Sequence, residues 1–206
     1  MYLSRLTLNP SRLALLWISN PYRVHQRLRM AADDDPHLLF RIEKNLQDVY
    51  QILLQSQQEP DWKKAFDDFA VLSQPPECKP FAPCLENGSA YRFRLMANPT
   101  IKRAVEKDGK TKKTRLGLLT EQAQIKWLER KVGLAGSKLT AIRAIPCGLQ
   151  RSRKNPAKDE ALQTHLAVLF DGIVLVEDAD MLLKALEAGI GSGKGYGFGL
   201  LSLAPL

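Results

Sequence analysis

The chain has 206 residues and a formal net charge of +8, with 45% apolar and 25% charged residues. This length and composition suit one ordinary domain or two small ones with a real hydrophobic core. No run of about 18 uncharged apolar residues occurs and no secretion signal is recognisable, which argues against a membrane protein or a secreted one. The three cysteines Cys78, Cys84 and Cys147 form no CxxC pair. We therefore expect a cytoplasmic protein without a disulfide framework.

The first part of the chain predicts the element order β-α-β-β-α-β. Residues 2–8 alternate as a strand does, and Asn20 and Pro21 suit the N-cap and first turn of a helix. The other predicted elements are two strands, a short helix and a last strand, at 38–43, at 48–55, from Asp61 and near 68–72. Four prolines within 73–88 favour neither helix nor central strand. We therefore interpret 75–88 as a linker between domains 1–74 and 89–206.

The second domain predicts the same element order. Residues 90–97 alternate as a strand, and Thr120 suits the N-cap of a helix over 120–132. The Asp171-Gly172 pair signals a hairpin turn. The remaining predicted elements are strands at 139–146, 162–170, 173–176 and 198–203 and a helix from Asp178 to Gly189. The fold class is thus α+β, with two tandem ferredoxin-like (RRM-like, βαββαβ) domains and a C-terminal glycine-rich loop.

Positive charge is concentrated in three segments. Residues 1–32 contain five arginines and no acid, 102–115 contains seven Lys or Arg against two acids, and 151–158 contains four Lys or Arg and no acid. Such clustering predicts a face that binds nucleic acid, while solvated loops or a membrane surface are the alternatives. The candidate contacts are Arg23, Arg27, Arg29, Lys102, Arg103, Lys107, Lys110, Lys112, Lys113, Arg115, Arg151, Arg153, Lys154 and Lys158.

Tyr22 and His25 form the candidate catalytic pair. They are three residues apart on the predicted helix, so they are neighbours on one flank, away from the apolar face of Val24 and Leu28. Histidine exchanges protons near neutral pH and tyrosine can orient a hydroxyl, which suits cleavage of a phosphodiester. The alternative is that His25 is an ordinary surface histidine.

Glycine occupies every odd position from 189 to 199. A dinucleotide-binding loop would follow a strand and precede a helix, whereas this segment follows a helix and only seven residues come after it. The remaining interpretations are a flexible connection or a loop whose backbone N–H groups meet a polyanion. The candidate contacts in this loop are Gly191, Gly193, Lys194 and Gly195.

No metal site is predicted, because His25, His37 and His165 are far apart in sequence and no P-loop or HExxH motif occurs. We therefore expect no cofactor. Cleavage without metal favours RNA, whose 2′-OH supplies an internal nucleophile.

Several motifs together resemble the CasE family, the repeat-processing endoribonucleases of type I-E CRISPR systems in the RAMP superfamily. They are MYLSRLTL at the start, Tyr22-x-x-His25, FRLxANP at 93–99, IxWL at 125–128, and the glycine loop followed by GLLSLAP. The resemblance covers the whole chain, and the glycine loop with GLLSLAP is its most specific part.

The resemblance implies metal-independent cleavage of the CRISPR repeat RNA at the 3′ base of its stem-loop, which leaves a 2′,3′-cyclic phosphate and a 5′-hydroxyl. It implies that the protein then stays on the 3′ hairpin of the mature CRISPR RNA as a subunit of Cascade. The family's catalytic histidine and tyrosine match His25 and Tyr22, and its stem-gripping hairpin matches the region of 151–158. Positions where some relatives carry an arginine and a lysine hold Gln26 and Met30 here, which leaves Arg27 or Arg29 as replacements.

Sequence leaves open whether His25 protonates the leaving 5′ oxygen or takes the 2′-OH proton, with Tyr22 positioning or activating that hydroxyl. Two other functions remain as alternatives. One is a non-catalytic RNA-binding subunit of a CRISPR complex, and the other is a protein–protein scaffold.

Overall fold

A computed structural model of the chain describes residues 1–107, 110–153 and 162–206. It has two antiparallel four-stranded sheets, one in each half of the chain, and a separate two-stranded hairpin. Helices pack against both sheets, so the protein is of the α+β class, as the sequence predicts. No helix in the described ranges is long and apolar enough to cross a membrane.

The first sheet has the strand order β2-β3-β1-β4, and all of its neighbours are antiparallel. Its elements follow the order β-α-β-β-α-β with one additional helix, α1. In chain order they are β1 (Tyr2–Thr7), α1 (Arg12–Ile18), α2 (Pro21–Ala31), β2 (Leu39–Lys44), β3 (Tyr50–Ser56), α3 (Trp62–Phe66) and β4 (Glu77–Pro80).

The second sheet has the order β10-β5-β9-β8, which places its four strands as in the first sheet. A hairpin, β6–β7, is inserted between its first strand and its first helix. In chain order the elements are β5 (Ala90–Ala97), β6 (Thr100–Lys107), β7 (Lys110–Gly117), α4 (Glu121–Gly133), β8 (Ser137–Ser152), β9 (Gln163–Val176), α5 (Ala179–Ala188) and β10 (Leu201–Pro205). A single 3-10 turn, Lys194–Tyr196, lies in the glycine-rich loop.

Helix ends are the best-predicted local features. The hydroxyl of Thr120 accepts a hydrogen bond from the backbone N–H of Ala123, and the carboxylate of Asp178 accepts one from Met181. The carboxylate of Asp61 likewise accepts one from Lys63. The sequence does not predict α1, a seven-residue helix capped by Ser11. Nearly all of its residues are apolar, and so short an apolar run shows no helical periodicity.

The fourth strand of the first sheet lies later in the chain than the sequence predicts. Near 68–72 there is only an isolated bridge between Leu8 and Leu72, and β4 instead occupies 77–80 inside the predicted linker 75–88. This strand pairs with β1 alone and is an edge strand. Proline lacks the N–H that a second neighbour would need, so a proline-rich segment is confined to an edge. The domain boundaries at 74 and 89 stay a prediction.

The predicted hairpin turn at Asp171-Gly172 is wrong. Strand β9 runs through both residues, and Gly172 pairs with Phe93 in the centre of the sheet. A methyl group on Gly172 would clash with the carbonyl oxygen of Ala141, so glycine is required there for close approach of β8 at a register shift rather than for a turn. Asp171 instead accepts two hydrogen bonds from the guanidinium of Arg94.

Residues 102–107 and 110–115 of the second basic segment lie on the two strands of the β6–β7 hairpin, which the sequence does not predict. Strand β8 also extends beyond the predicted 139–146, to Ser152, with a second irregularity between Pro146 and Leu149. The part of the third basic segment beyond Arg153 lies outside the described residues.

Each half has its own hydrophobic core. In the first half the sheet buries Leu6 and Ile52 under α2, whose Val24 and Leu28 are completely buried. In the second half Leu128 of α4 and Leu186 of α5 pack against Leu95 of β5. The apolar face predicted for α2 is confirmed.

Arg41 joins the two sheets. Its side chain is only 2% exposed and forms an ion pair with Glu43 at 2.8 Å. Its terminal nitrogens donate hydrogen bonds to the carbonyl of Leu200 and the hydroxyl of Ser202, both at 3.1 Å. Strands β2 and β10 are edge strands of different sheets, so this one guanidinium satisfies polar groups on both sides of the junction.

We expect Arg41→Ala to lower the free energy of unfolding by about 3 kcal/mol. The substitution leaves the carboxylate of Glu43 and the hydrogen-bond acceptors of the second sheet without their partner. Urea denaturation monitored by circular dichroism measures this change. The matched control is Arg5→Ala, which removes an ion pair with Glu77 whose two side chains are half exposed and should cost less than about 1 kcal/mol. Equal losses in both variants would contradict the role of Arg41.

Candidate nucleic-acid cleavage site

Helix α2 presents Tyr22 and His25 on a half-buried flank beside its core face. Pro21 is the first helical residue, as predicted, but the side chain of Asn20 does not cap the helix. Its amide Nδ2 instead donates a hydrogen bond to the carbonyl of Arg153 at 3.1 Å. The beginning of the helix is thus tied to the basic segment at the end of β8.

The imidazole of His25 lies between the first half of the chain and the glycine-rich loop. It stacks on Phe40, with ring centroids 6.0 Å apart and planes inclined by 12°. A methyl group on Gly195 would lie 3.2 Å from Cδ2 and 3.3 Å from Nε2 of His25. The absence of a side chain at 195 therefore allows the loop backbone to lie against the reactive edge of the ring.

The pKa of His25 lies below the ordinary value of 6.5, first because the ring is partly buried and second because the cation of Arg29 is near. Its buried Nδ1 has no hydrogen-bond partner in the described part of the chain. Burial of the ring and the Arg29 cation both disfavour the imidazolium ion, so the neutral form of His25 predominates at pH 7. The neutral ring can accept a proton from a hydroxyl.

Tyr196, from the glycine-rich loop, extends the site to the second sheet. Its ring lies 5.8 Å from that of Tyr22 and 4.4 Å from that of His165. Its hydroxyl donates a hydrogen bond to Oε1 of Gln163 at 2.7 Å. The amide of Asn98 lies 3.1 Å from Nδ1 of His165, and burial lowers the pKa of that histidine. These contacts hold the loop beside the candidate pair.

Sequence reasoning missed Asn98, Gln163, His165 and Tyr196 as parts of this site. Two of these residues could have been identified from the sequence around them. Asn98 belongs to the FRLxANP motif, and Tyr196 is an aromatic residue within the run of glycines. Gln163 and His165 could not, because only the pairing of β8 with β9 brings them to this end of the sheet.

The glycines of the loop make room for the protein's own side chains. Gly191 has a left-handed φ of +90°, and a methyl group there would lie 3.1 Å from the indole of Trp127. Gly197 is placed in the same way against Phe40, and Gly189 against Leu39. The sequence interpretation of a loop open to a polyanion is therefore incomplete, because Gly189 and Gly197 are needed for packing between the two halves and Gly191 for packing within the second half.

The arginines of α2 differ in how firmly other residues bind their side chains. Arg27 forms an ion pair with Asp68 at 3.0 Å, donates to the carbonyl of Ala65 at 2.7 Å and lies over the ring of Phe69. Arg29 forms an ion pair with Asp34 at 3.2 Å. Arg27 is thus bound within its own half, whereas the exposed pair of Arg29 can open at little cost.

Arg23 is exposed at the start of α2 and has no ion pair among the described residues.

The other predicted basic contacts fall on two surfaces. Lys102 and Arg115 are paired across the base of the β6–β7 hairpin, next to the start of the glycine-rich loop, and Arg103 is exposed on the same strand as Lys102. Arg151 and Arg153 are exposed at the end of β8. Positions 107, 110, 112 and 113 lie on the hairpin strands farther from its base. Lys154 and Lys158 lie outside the described residues.

Within the described residues no three His, Cys, Asp or Glu side chains are grouped so that they could hold a metal ion. The site brings together a phenol, an imidazole, the backbone of the loop and nearby cations. Such a set can orient a hydroxyl, accept its proton and stabilise a phosphate.

The two antiparallel α+β halves and the whole length of the chain match a class of CRISPR-associated proteins. The family model described as CRISPR associated protein matches residues 1–205. The chain is 35% identical to the CRISPR-associated endoribonuclease Cse3 of Thermus thermophilus and 32% identical to the Cascade subunit CasE of Escherichia coli, over the full length of each pair. The chain belongs to this family, so the resemblance to CasE seen in the sequence is confirmed.

Solved structures of such relatives have the same fold. Cse3 of Thermus thermophilus bound to an RNA representing a pre-cleavage complex is 33% identical, with a TM-score of 0.83 over 99% of this chain and 98% of that one. Cas6e of Escherichia coli is 30% identical, with a TM-score of 0.77 over the full length of both chains.

We expect the imidazole of His25 to titrate below 6.5 in NMR spectra of isotope-labelled protein. Arg29→Gln should raise the midpoint only part of the way to 6.5, because burial is the larger cause of the shift. His25→Gln identifies the signal by its loss. A midpoint at or above 6.5 in the wild-type protein would show that the ring is not buried by the loop as described.

Proposed function

We propose that this protein is an endoribonuclease that cleaves CRISPR repeat RNA without a metal ion at the 3′ base of the stem-loop. The observation that carries the proposal is the placement of Tyr22 and His25 side by side on α2, with the backbone of Gly195 against the imidazole. Its relative Cse3 is named as an endoribonuclease, and structures describe it bound to RNA.

In the proposed reaction the 2′-oxygen of the nucleotide before the cut attacks the adjacent phosphorus. His25, neutral at pH 7, accepts the proton of the 2′-OH. The bond between phosphorus and the 5′ oxygen breaks, and that oxygen takes up a proton from water. The imidazolium formed on His25 releases its proton to water, which restores the neutral ring. The products are a 2′,3′-cyclic phosphate and a 5′-hydroxyl. Tyr22 orients the attacking hydroxyl, and its packing against Tyr196 supports this positioning role.

The stem of the RNA is proposed to lie on the basic segment 151–158. Arg151 and Arg153 are exposed at the end of β8, and the carbonyl of Arg153 is bonded to Asn20, two residues before Tyr22. Cations at this place can hold phosphates of an A-form duplex, whose shape and backbone are what proteins usually recognise. The hydrogen bond supports a stem seated directly beside the reacting pair.

We also propose that the protein remains on the 3′ hairpin of the mature RNA as a subunit of Cascade. Its relative CasE is named as a Cascade subunit, and a related chain of a Cascade crystal structure has a TM-score of 0.56 at 25% identity. The unpaired cysteines Cys78, Cys84 and Cys147 suit the reducing cytoplasm. Each half is proposed to be a ferredoxin-like domain, which the common strand arrangement of the two sheets supports.

A single 2′-deoxy nucleotide immediately before the cut should abolish cleavage and leave RNA affinity nearly unchanged, because it removes only the nucleophile. Cleavage is followed on a gel with the protein's own repeat RNA in the presence of EDTA, and binding by filter retention. The unmodified RNA should be cut in EDTA. Cleavage of the deoxy substrate at the normal rate would contradict attack by the 2′-oxygen. Loss of cleavage of the unmodified RNA in EDTA would show that a metal is needed.

His25→Ala should lower the single-turnover rate by roughly 10²–10⁴-fold, the usual contribution of a general acid–base group. The fold should survive, because His25 is only half-buried and lies off the core face of α2. Thermal unfolding and RNA affinity are measured alongside the rate. The matched control is His37→Ala, an exposed histidine that should leave the rate unchanged.

The pH profile separates the two proton-transfer roles of His25. If the neutral ring is the base, the rate rises with pH to a plateau above a midpoint below 6.5, whereas an acid role makes the rate fall. Full activity of His25→Ala would contradict catalysis by this residue and favour a subunit that only binds RNA.

A further inference from the structure

A cationic groove, named here the α4 groove, lies between the base of the β6–β7 hairpin, helix α4 and the start of the glycine-rich loop. Its volume is about 660 Å³. Five cations line it, two from the hairpin and three from α4. They are Lys102, Arg115, Lys126, Arg130 and Lys131. No carboxylate is among its described lining residues.

Among the described residues, none of these five cations takes part in an ion pair. The seven ion pairs of the described residues engage Arg27, Arg29, Arg41 and Arg94 but none of the groove cations. Five like charges around one cavity repel each other and create a positive potential that a polyanion would relieve. The groove is thus complementary to a chain of phosphates.

The size and floor of the groove restrict what can occupy it. A cavity of 660 Å³ is comparable to a small-molecule pocket, so it accommodates a few nucleotides of one strand rather than a duplex. Its aromatic floor, Trp127, is only 6% exposed and stacks on Phe170. The indole face is therefore not free to stack on a base, and recognition rests on the backbone. Lys126 and Arg130, four residues apart on α4, are neighbours on one helix face.

The glycine-rich loop links the groove to the candidate catalytic pair. Gly191 and Ser192 line it, and four residues after Gly191 the same loop places Gly195 against His25. Tyr196 of the same loop contacts Gln163 and His165 at the beginning of β9. This part of β9 pairs with residues 150–152 of β8. A strand that leaves the stem at His25 would therefore follow the loop into the groove.

We propose that the α4 groove binds the single-stranded RNA that flanks the repeat stem-loop, through its phosphates and without regard to base sequence. The proposal rests on the proposed function, since it takes the stem-loop to be seated at Tyr22 and His25. It assigns Lys126, Arg130 and Lys131 to RNA binding, in addition to the hairpin residues Lys102 and Arg115. The rival occupant is an acidic segment of another protein subunit.

The test uses a stem-loop RNA made uncleavable by a 2′-deoxy nucleotide at the cut, in three forms: without extension, with a 5′ extension and with a 3′ extension. The variant is Lys126→Ala/Arg130→Ala/Lys131→Ala, because alanine favours the helix. The matched control is Lys63→Ala/Lys138→Ala/Lys184→Ala, three lysines that do not line the groove. Dissociation constants are measured for each protein from 50 to 200 mM salt.

An extension should tighten binding by the wild-type protein and by the control, and the α4 variant should lose that gain. Single-stranded contacts contribute about 0.7 to the salt slope for each phosphate, so three lost contacts lower the slope by about two. The wild-type protein should then lose roughly 20-fold more affinity over this salt range than the variant does. Replacing the extension with oligouridine of equal length should preserve the gain, and the extension that produces it identifies the flank.

Failure of this proposal is distinguishable from failure of the proposed function. If the wild-type protein binds the bare stem-loop but gains nothing from either extension, the groove proposal alone is wrong. If the α4 variant loses equal affinity for the bare and extended RNAs, the groove belongs to the stem site. If the protein does not bind the bare stem-loop, the proposed function is wrong. If the variant keeps the RNA gain but fails to assemble with other Cascade subunits, the occupant is protein.

Discussion

The packing of the glycine-rich loop 189–199 against the first half of the chain is the constraint on which the site depends. Leu39, Phe40 and His25 occupy space that side chains at 189, 197 and 195 would fill. The loop belongs to the second half and covers a helix of the first, so the candidate catalytic pair is complete only when both halves are folded and joined. Arg41 strengthens the same junction by satisfying acceptors of the second sheet.

This packing also determines the chemistry of His25. The loop and Phe40 bury the ring, and burial is the main reason why its pKa lies below the ordinary value. A histidine on an exposed helix flank would be partly protonated near neutral pH, whereas this ring is neutral and able to accept a proton. The cations of the molecule fall into two groups. Arg27 and Arg41 are bound by acids and carbonyls, whereas Lys126 and Arg130 have no such partner among the described residues.

Much of the fold could be predicted from the sequence because its signals are local. Alternation marks β1 and β5, and Thr120, Asp178 and Gly189 mark helix ends. The predictions were wrong where the same local sequence is compatible with two different structures. Asp171-Gly172 has the composition of a turn, but Gly172 is needed for the close approach of β8. Pro75 and Pro76 exclude a central strand, yet the chain forms the edge strand β4 directly after them.

The sequence by itself determined that Tyr22 and His25 are neighbours, since three residues on a helix bring side chains to one flank whatever the rest of the chain does. It also determined the family, through motifs that extend over the whole chain. Only the tertiary structure decided that His165 and Tyr196 join this pair and that Trp127 forms the floor of a cationic groove. These contacts join residues distant in sequence, and strand register and loop packing, rather than local periodicity, bring them together.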